Sequence, residues 1–410
     1  MRILLLTLHF TPDTVSNAVV VTEVAEELAA RGHAVTVITA LPYHQAHEIE
    51  EQYRGRLWRL GRHGPIRVIR TWLLLRGGKR DLGGRFLAYA TFNVTSTLAA
   101  LCIGRQDVVI TPSPPLTIGL SGWLLAAFWR AAFIYNVQDI YPDAAIKLGL
   151  LRNACAVRFF EWLERFVYAR ADAVTVLSDD FKHNLLAKRV AADKVVLIPN
   201  PVDTEFLRPC ERENNFAVQN DLVGRFVVLY AGNVGLAQGV ETLVDATALL
   251  TIPGILVLVV GAGAELGQVR ARAEARLQDD CMRFLPFQPR NEVPLLYASA
   301  DAAVVLLRVG MGNTSTPSKL FTIMAMGKPV IASVDRETEV WRLVESVGCG
   351  VCVPPDDPRA LAEAIDRLAA APDRAQAMGA KGRAHAEQHY GRRGVGDQYH
   401  ELVGKLRGQD

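Results

Sequence analysis

Short β-branched runs recur along this chain with helix-length segments between them, and that alternation restricts the possible folds more than any other feature. "RILLLTLHF" opens the chain and gives way to a helix over residues 18–31, closed by Gly32; "AVTVITA", "DVVITPS", "FIYNVQD", "AVTVLS" and "VVLIP" follow. Such runs separated by helices predict a parallel sheet wound on both faces. A second series then begins with "FVVLYAG", a helix over 239–250, "ILVLVVGAG", a helix over 264–277, "MRFLPF", "AAVVLL", a helix over 317–326, "PVIAS" and "GVCVPP". The chain therefore reads as two doubly wound α/β domains in tandem, joined near "IPNPVDTEFLRP" (198–209), where Pro199, Pro201 and Pro209 stiffen the connection. Its 410 residues suit two domains of roughly 150–200 residues each.

Composition removes several function classes. Hydrophobic residues at 50% and charged residues at 21% describe a globular chain, and a net charge of +2 offers no global attraction for nucleic acid. Cysteines 102, 155, 210, 281, 349 and 352 form no disulfide framework, which points to a reducing cytoplasm. Cys349 and Cys352 make a lone CxxC inside the strand-like "VGCGVCVPP", with no second ligand pair for a metal. The N-terminal apolar run is short, interrupted by His9 and not followed by a small-residue cleavage site, so it reads as a buried strand rather than a signal peptide. The apolar stretch 116–137 contains Gly119, Gly122 and Arg130 and reads as a buried helix running into a strand, not as a membrane span.

Open parallel sheets bind ligands beyond the carboxyl ends of their strands, so the loops there carry the candidate sites. "YAGNVGLAQG" (230–239) and "VGAGAE" (260–265) let a ligand approach the backbone closely. A dinucleotide fingerprint would need an acidic residue at the end of the next strand, but "MRFLPF" is followed by Gln288. The sequence holds no GxxxxGK[ST] and no HExxH, and the pairs Asp179–Asp180 and Asp279–Asp280 read as solvated helix-flanking acids. In "TPSKLFTIMAMGKPVIAS" (316–333), Thr316 and Pro317 suit a helix entry and Gly327 its exit, yet Lys319 lies in the first turn. A cation there opposes the helix dipole by a few tenths of a kcal/mol, roughly, unless an anion sits between them. The alternative is a solvated lysine beside a proline-capped helix.

Together "LIPNPVD", "YAGNVGLAQG", "VGAGAE", "TPSKLFTIMAMGKPVIA", "TPSPPL" and "NVQDIYPDAAIKLG" resemble glycosyltransferase family 4. More narrowly, the chain is similar to the bacterial branch that includes colanic-acid and O-antigen fucosyl and fucosaminyl transferases. The resemblance implies a GT-B fold: two Rossmann-like domains facing across a cleft, 1–200 for the acceptor and 201–389 for the nucleotide sugar, with a C-terminal helix at about 390–410 returning to the first. It implies retaining, metal-independent transfer from a UDP- or GDP-linked donor that serves as substrate, with no cofactor.

Carried over by position, the donor diphosphate would meet Asn233, Gly235, Gln238, Arg308, Ser318, Lys319 and Leu320, the last two through their amides. Ribose and base would meet Gly261, Gly263, Phe287, Gln288 and Thr322. Lys319 and Asp139 would be the catalytic residues, Lys319 on the leaving group and Asp139 orienting the acceptor or supporting oxocarbenium character. For Asp139 the competing reading is a helix-capping aspartate before Pro142. Ser16 and Asn17 in "TPDTVSNA" fall on the acceptor side. The sequence departs from the family where two glutamates eight residues apart become Thr314 and Thr322, and where an arginine and a lysine become Asn233 and Gln238. A neutral threonine bond is about half as strong as a charge-assisted one, which shifts weight onto backbone amides of the "GNVG" loop.

Residues 54–85 carry ten basic side chains against one acid, Asp81, with Trp58 and Trp72 among them. That mixture suits an anionic bilayer presenting a lipid-linked saccharide acceptor, and no nucleic-acid recognition fold accompanies it. An ordinary solvated face is the alternative. The expected protein is a cytoplasmic glycosyltransferase, peripheral at the inner face of the plasma membrane, that builds a surface polysaccharide or glycolipid. A GT-B nucleotide-sugar epimerase and a non-catalytic nucleotide-sugar-binding partner are the two other readings, and donor turnover separates all three.

Overall fold

The computed structural model describes residues 1–13, 15–43, 49, 51–76, 82–277, 280–312 and 317–408, with the side chains of Ser16 and Leu82 excepted. Thr314, Thr316, Asp279 and the Lys79–Arg80–Asp81 part of the basic segment lie outside the described residues. The chain divides into two compact units, Met1–Pro201 with Arg392–Asp410, and Val202–Gly391.

Unit 1 is built on eight strands: β1 (Arg2–Leu6), β2 (Ala34–Ala40), β3 (Trp58–His63), β4 (Ile66–Thr71), β5 (Val108–Ser113), β6 (Ala132–Val137), β7 (Ala173–Val176) and β8 (Val195–Leu197). They lie in the order β3-β4-β2-β1-β5-β6-β7-β8. Every neighbouring pair is parallel except β3–β4, an antiparallel hairpin at the edge. Because side chains alternate across the pleat, the sheet has two cores. Leu4, Leu6, Ile38, Ile69 and Val109 face one side with Phe92, Leu125 and Leu163 from the helices Leu82–Leu101, Ile118–Trp129 and Ala154–Arg170. Ile3, Leu5, Val35, Val37 and Val68 face the other, with Val24 and Leu28 from the helix Ser16–Ala30 and Val395, Tyr399 and Leu402 from the C-terminal helix Arg392–Leu406.

The C-terminal helix is fastened by polar contacts as well as by its apolar stripe. Arg31 Nη2 lies 2.7 Å from Asp397 Oδ1, and Tyr399 Oη accepts from Asn136 Nδ2 at 3.0 Å. The stretch 116–137 is the helix Ile118–Trp129 running into β6, and among the described residues no helix is long and apolar enough to cross a membrane.

Part of the basic segment folds as the β3–β4 hairpin, which no sequence pattern announced. β3 is an edge strand, and its arginines block pairing with a further strand, a common way of protecting exposed edges.

Unit 2 contains β9 (Phe226–Ala231), β10 (Ile255–Val260), β11 (Met282–Leu285), β12 (Ala302–Leu306), β13 (Val330–Ser333) and β14 (Gly350–Val353). All pairings are parallel in the order β11-β10-β9-β12-β13-β14. β10 reads "ILVLVV" and is buried along its whole length, as a strand covered on both faces requires. Each such Val or Leu contributes about 1.5–3 kcal/mol of burial. Chain order reverses between β9 and β12, and this is the topological switch point where a parallel sheet opens a crevice at its carboxyl edge.

Candidate active site

In unit 2 the loops leaving β9, β10 and β11 are laced by main-chain hydrogen bonds. Gly232 N donates to Val260 O at 2.9 Å, Val234 N to Ala262 O at 2.9 Å, and Gly261 N to Leu285 O at 3.0 Å. Such close approach requires glycine. Gly261 has φ +153°, and a Cβ there would lie 1.9 Å from Gly232 O. Gly232 has φ +137°, and a Cβ there would lie 3.3 Å from both Cε and Nζ of Lys319. The first glycine thus fixes the loops to each other, and the second leaves room for the lysine.

Lys319 begins the helix Lys319–Ala325, which Gly327 terminates at φ +65°. Its ammonium sits 3.8 Å from the centroid of the Tyr230 ring at the end of β9. The residue as a whole is half-buried, but Nζ is shielded from solvent and has no hydrogen-bond partner among the described residues. Burial pulls its pKa down from 10.5 to about 7. Tyr230 is held in turn by a 2.6 Å hydrogen bond from its hydroxyl to Asn233 O. A ring face stabilises a cation by only about 0.5–2 kcal/mol, much less than full hydration or an ion pair supplies. When protonated, this lysine is a positive charge that the described residues leave largely uncompensated.

The other expected donor residues fall around this point in different states of engagement. Gln238 Oε1 accepts from Gly235 N at 3.2 Å and from Asn233 Nδ2 at 3.4 Å, so these three shape the loop after β9. Arg308, following β12, donates through Nε to Leu236 O at 2.8 Å and forms an ion pair with Glu241, with Asp356 Oδ1 3.9 Å from its Nη1. Its guanidinium braces the glycine loop. The Leu320 amide donates to Pro317 O at 3.0 Å and is consumed by the turn that opens the helix. Ser318 occupies the N-cap position without a side-chain cap bond, and Thr322 is half-buried one turn along the helix. Gly263 lies so close to Val234 that an added Cβ would be 2.1 Å from its carbonyl oxygen. Phe287 is exposed, and Gln288 Nε2 donates to Pro286 O at 2.9 Å.

In unit 1, Asp139 follows β6; its carbonyl accepts from Ser113 Oγ at 3.2 Å, and Ser113 Oγ in turn accepts from Gln138 N at 3.2 Å. Asn17 opens the helix after β1, with Oδ1 buried and unpartnered among the described residues. Sequence reasoning singled out neither Tyr230 nor Glu241. The signal for Tyr230 was available, since an aromatic residue directly precedes the glycine loop. After β1, His9 Nδ1 lies 3.0 Å from Asp13 Oδ2 and its ring stacks on Tyr43.

Cys349 and Cys352 are thiols held in apolar surroundings, with burial raising their pKa values to about 11 and about 12. The described residues contain no cluster of three or more His, Cys, Asp or Glu side chains placed to hold a metal.

Comparison with known proteins agrees with this architecture. Residues 18–201 match the family described as Glycosyl transferase 4-like domain, and residues 211–385 match that described as Glycosyl transferases group 1. The chain is 28% identical over 375 residues to WcaI of Escherichia coli, a putative colanic acid biosynthesis glycosyl transferase, covering 89% of this chain and 91% of that one. Among solved structures it superposes on sucrose-phosphate synthase from Thermosynechococcus elongatus with a TM-score of 0.79, at 22% identity and over 100% of both chains. It superposes on Anabaena HepE, solved in complex with UDP-glucose, with a TM-score of 0.74, at 16% identity and over 99% and 100% of the two chains. The two matched families account for nearly the whole chain, one to each doubly wound half, and the chain belongs to the family 4-like glycosyltransferases of GT-B fold.

Proposed function

We propose that the chain transfers a sugar, with retention of anomeric configuration, from a UDP- or GDP-sugar to a polyprenyl-diphosphate-linked saccharide in surface polysaccharide or glycolipid synthesis. One observation carries this reading: the shielded Lys319 ammonium, unpartnered among the described residues, beside the glycine loops at the switch point of unit 2. A nucleoside diphosphate sugar brings two negative charges and develops more on its leaving group as the glycosidic bond breaks. A cation already desolvated there interacts more strongly with that growing charge than one in water. Lys319 would bind the diphosphate oxygens, Ser318 would donate to them, and the Gly232–Gly235 backbone would border the nucleotide. The complex of HepE with UDP-glucose and the colanic-acid assignment of WcaI support a nucleotide-sugar donor and a polysaccharide product.

In this reading the departing phosphate accepts the proton of the attacking hydroxyl, and Asp139 orients the acceptor. Ser16 and Asn17 belong to the acceptor side, and Phe287, Gln288, Thr322, Gly261 and Gly263 to the ribose and base. The charge of Lys319 makes the transfer independent of a metal, at the cytoplasmic face of a membrane reached through the basic segment 54–85. The test is incubation of the purified chain with labelled UDP- and GDP-sugars and a polyprenyl-diphosphate-linked saccharide, with and without a chelator. Label should move to the lipid fraction in both conditions with the anomeric configuration kept. An isomerised donor, or donor binding without turnover, would refute transfer.

A further inference from the structure

The fold assembles an apolar face on unit 1 that the basic segment only borders. The helices Leu82–Leu101, Ile118–Trp129 and Ala154–Arg170 lie side by side over one face of the sheet, the second packed against both others. Their outward sides are apolar: Leu98 is 60% exposed, Phe128 69% and Trp162 52%, with Leu124 and Phe159 beside them. Aromatic contacts join two of the helices, since Trp123 meets Phe166 edge-on at 4.9 Å and Trp162 stacks on Phe166 at 5.6 Å. The β3–β4 register extends the face to the sheet edge. Leu60 pairs with Ile69 and Trp58 with Thr71, and Ile69 belongs to the core beneath these helices, so Trp58 and Leu60 share their side of the sheet.

Charge on this face has one dominant sign. The helix Ile118–Trp129 has no charged residue and Leu82–Leu101 has only Arg85. Ala154–Arg170 carries Arg158, Arg165 and Arg170 against Glu161 and Glu164, and Glu164 is buried with both oxygens within 2.9 Å of Lys188 Nζ. Exposed Arg105 and Arg130 follow the ends of the first two helices. In the segment 54–85, by contrast, several cations are used internally: Arg54 bonds Ile49 O, Arg59 lies over Tyr53, Arg70 bonds Thr11 O and Arg85 bonds Tyr89.

We propose that this three-helix face, with Trp58 and Leu60 at its margin, lies on an anionic lipid bilayer as the docking surface of the protein. Aromatic and aliphatic side chains among arginines, with few accessible carboxylates, match the chemistry of an anionic headgroup layer over hydrocarbon. The proposal refines the membrane association of the preceding section by naming the surface, and it stands independently of the donor site.

The test is co-sedimentation of the full chain with phosphatidylethanolamine vesicles containing about one third phosphatidylglycerol, at low salt. Leu98→Glu and Phe128→Glu alter exposed positions and should each reduce the bound fraction at least about tenfold, whereas Lys405→Glu, on the helix that covers the opposite face of the sheet, should change it only slightly. As a second measurement, brominated lipid should quench the fluorescence of the unmodified chain, and Trp162→Phe should remove part of that quenching. Equal binding by the two glutamate variants, or quenching unchanged by Trp162→Phe, overturns the choice of face. An unmodified chain that stays in the supernatant overturns membrane association itself. A dimer in sedimentation velocity that both glutamate variants disperse, without vesicle binding, assigns the face to a second copy and also overturns the proposal.

Discussion

Raising the pH from about 7.5 to about 9.5 should weaken binding of a nucleoside diphosphate by about 70-fold, or about 2.5 kcal/mol, because of Lys319 alone. In the free protein burial holds this lysine near pKa 7, so across that interval its protonated fraction falls from about a quarter to well under one per cent. Diphosphate oxygens beside Nζ would raise the pKa of the complex, so binding above pH 7 must take up a proton. The cost of that uptake grows by about 1.4 kcal/mol per pH unit until the pKa of the complex is reached. The ligand's terminal phosphate, with a second pKa near about 6, is fully ionised throughout this range and contributes no slope.

Isothermal titration in buffers of different ionisation enthalpy measures both the affinity and the proton uptake. Lys319→Met should bind weakly at every pH and show no slope. The variant also reports on the free protein. A lysine whose folded pKa lies below its unfolded value destabilises the fold most fully below pH 7, and the penalty is relieved as pH rises from about 7 toward 10.5. Lys319→Met should therefore unfold at a higher temperature than the unmodified chain at pH 6.5, with the gain shrinking in alkali. Affinity independent of pH with no proton uptake would refute the argument, as would diphosphate binding by Lys319→Met as tight as that of the unmodified chain.

Gly261→Ala places a methyl group against Gly232 O in a backbone region that favours glycine, and it should cost at least about 2 kcal/mol in urea unfolding along with nucleotide affinity. An unchanged unfolding midpoint would show that the two loops move apart freely. Lys188→Met leaves Glu164 buried without its cation and should destabilise the chain by about 3–5 kcal/mol, while Lys188→Met with Glu164→Gln should recover much of that loss. Equal midpoints for the single and double variants would contradict the pairing.

Much of this site was legible because its signals are local. The glycines of "YAGNVG" and "VGAGAE" mark close backbone approach whatever the surroundings. Lys319 stands out because a cation in the first turn of a helix conflicts with the helix dipole, and that conflict is written in four consecutive residues. The contact between Lys319 and Tyr230 was not legible, because it joins a helix start to a strand end 89 positions earlier. The role of Arg308 likewise depended on tertiary context. Its position after β12 suggested a phosphate ligand, and its ion pair with Glu241 and bond to Leu236 O, both to residues distant in sequence, were visible only in the fold. The β3–β4 hairpin was missed because arginines interrupt its alternating pattern, as protection of an edge strand demands.

From the order of residues alone follow two doubly wound halves, the candidate loops at the carboxyl ends of their strands and the lysine at odds with its helix dipole. These depend on periodicity and backbone sterics over short spans, where neighbours in sequence are neighbours in space. Sheet order, the side of the sheet on which Trp58, Phe128 and Trp162 gather, and the desolvation that pulls Lys319 to about pKa 7 were settled only by tertiary packing. Each of those depends on which distant segments lie side by side, and on how completely they exclude water from the groups between them.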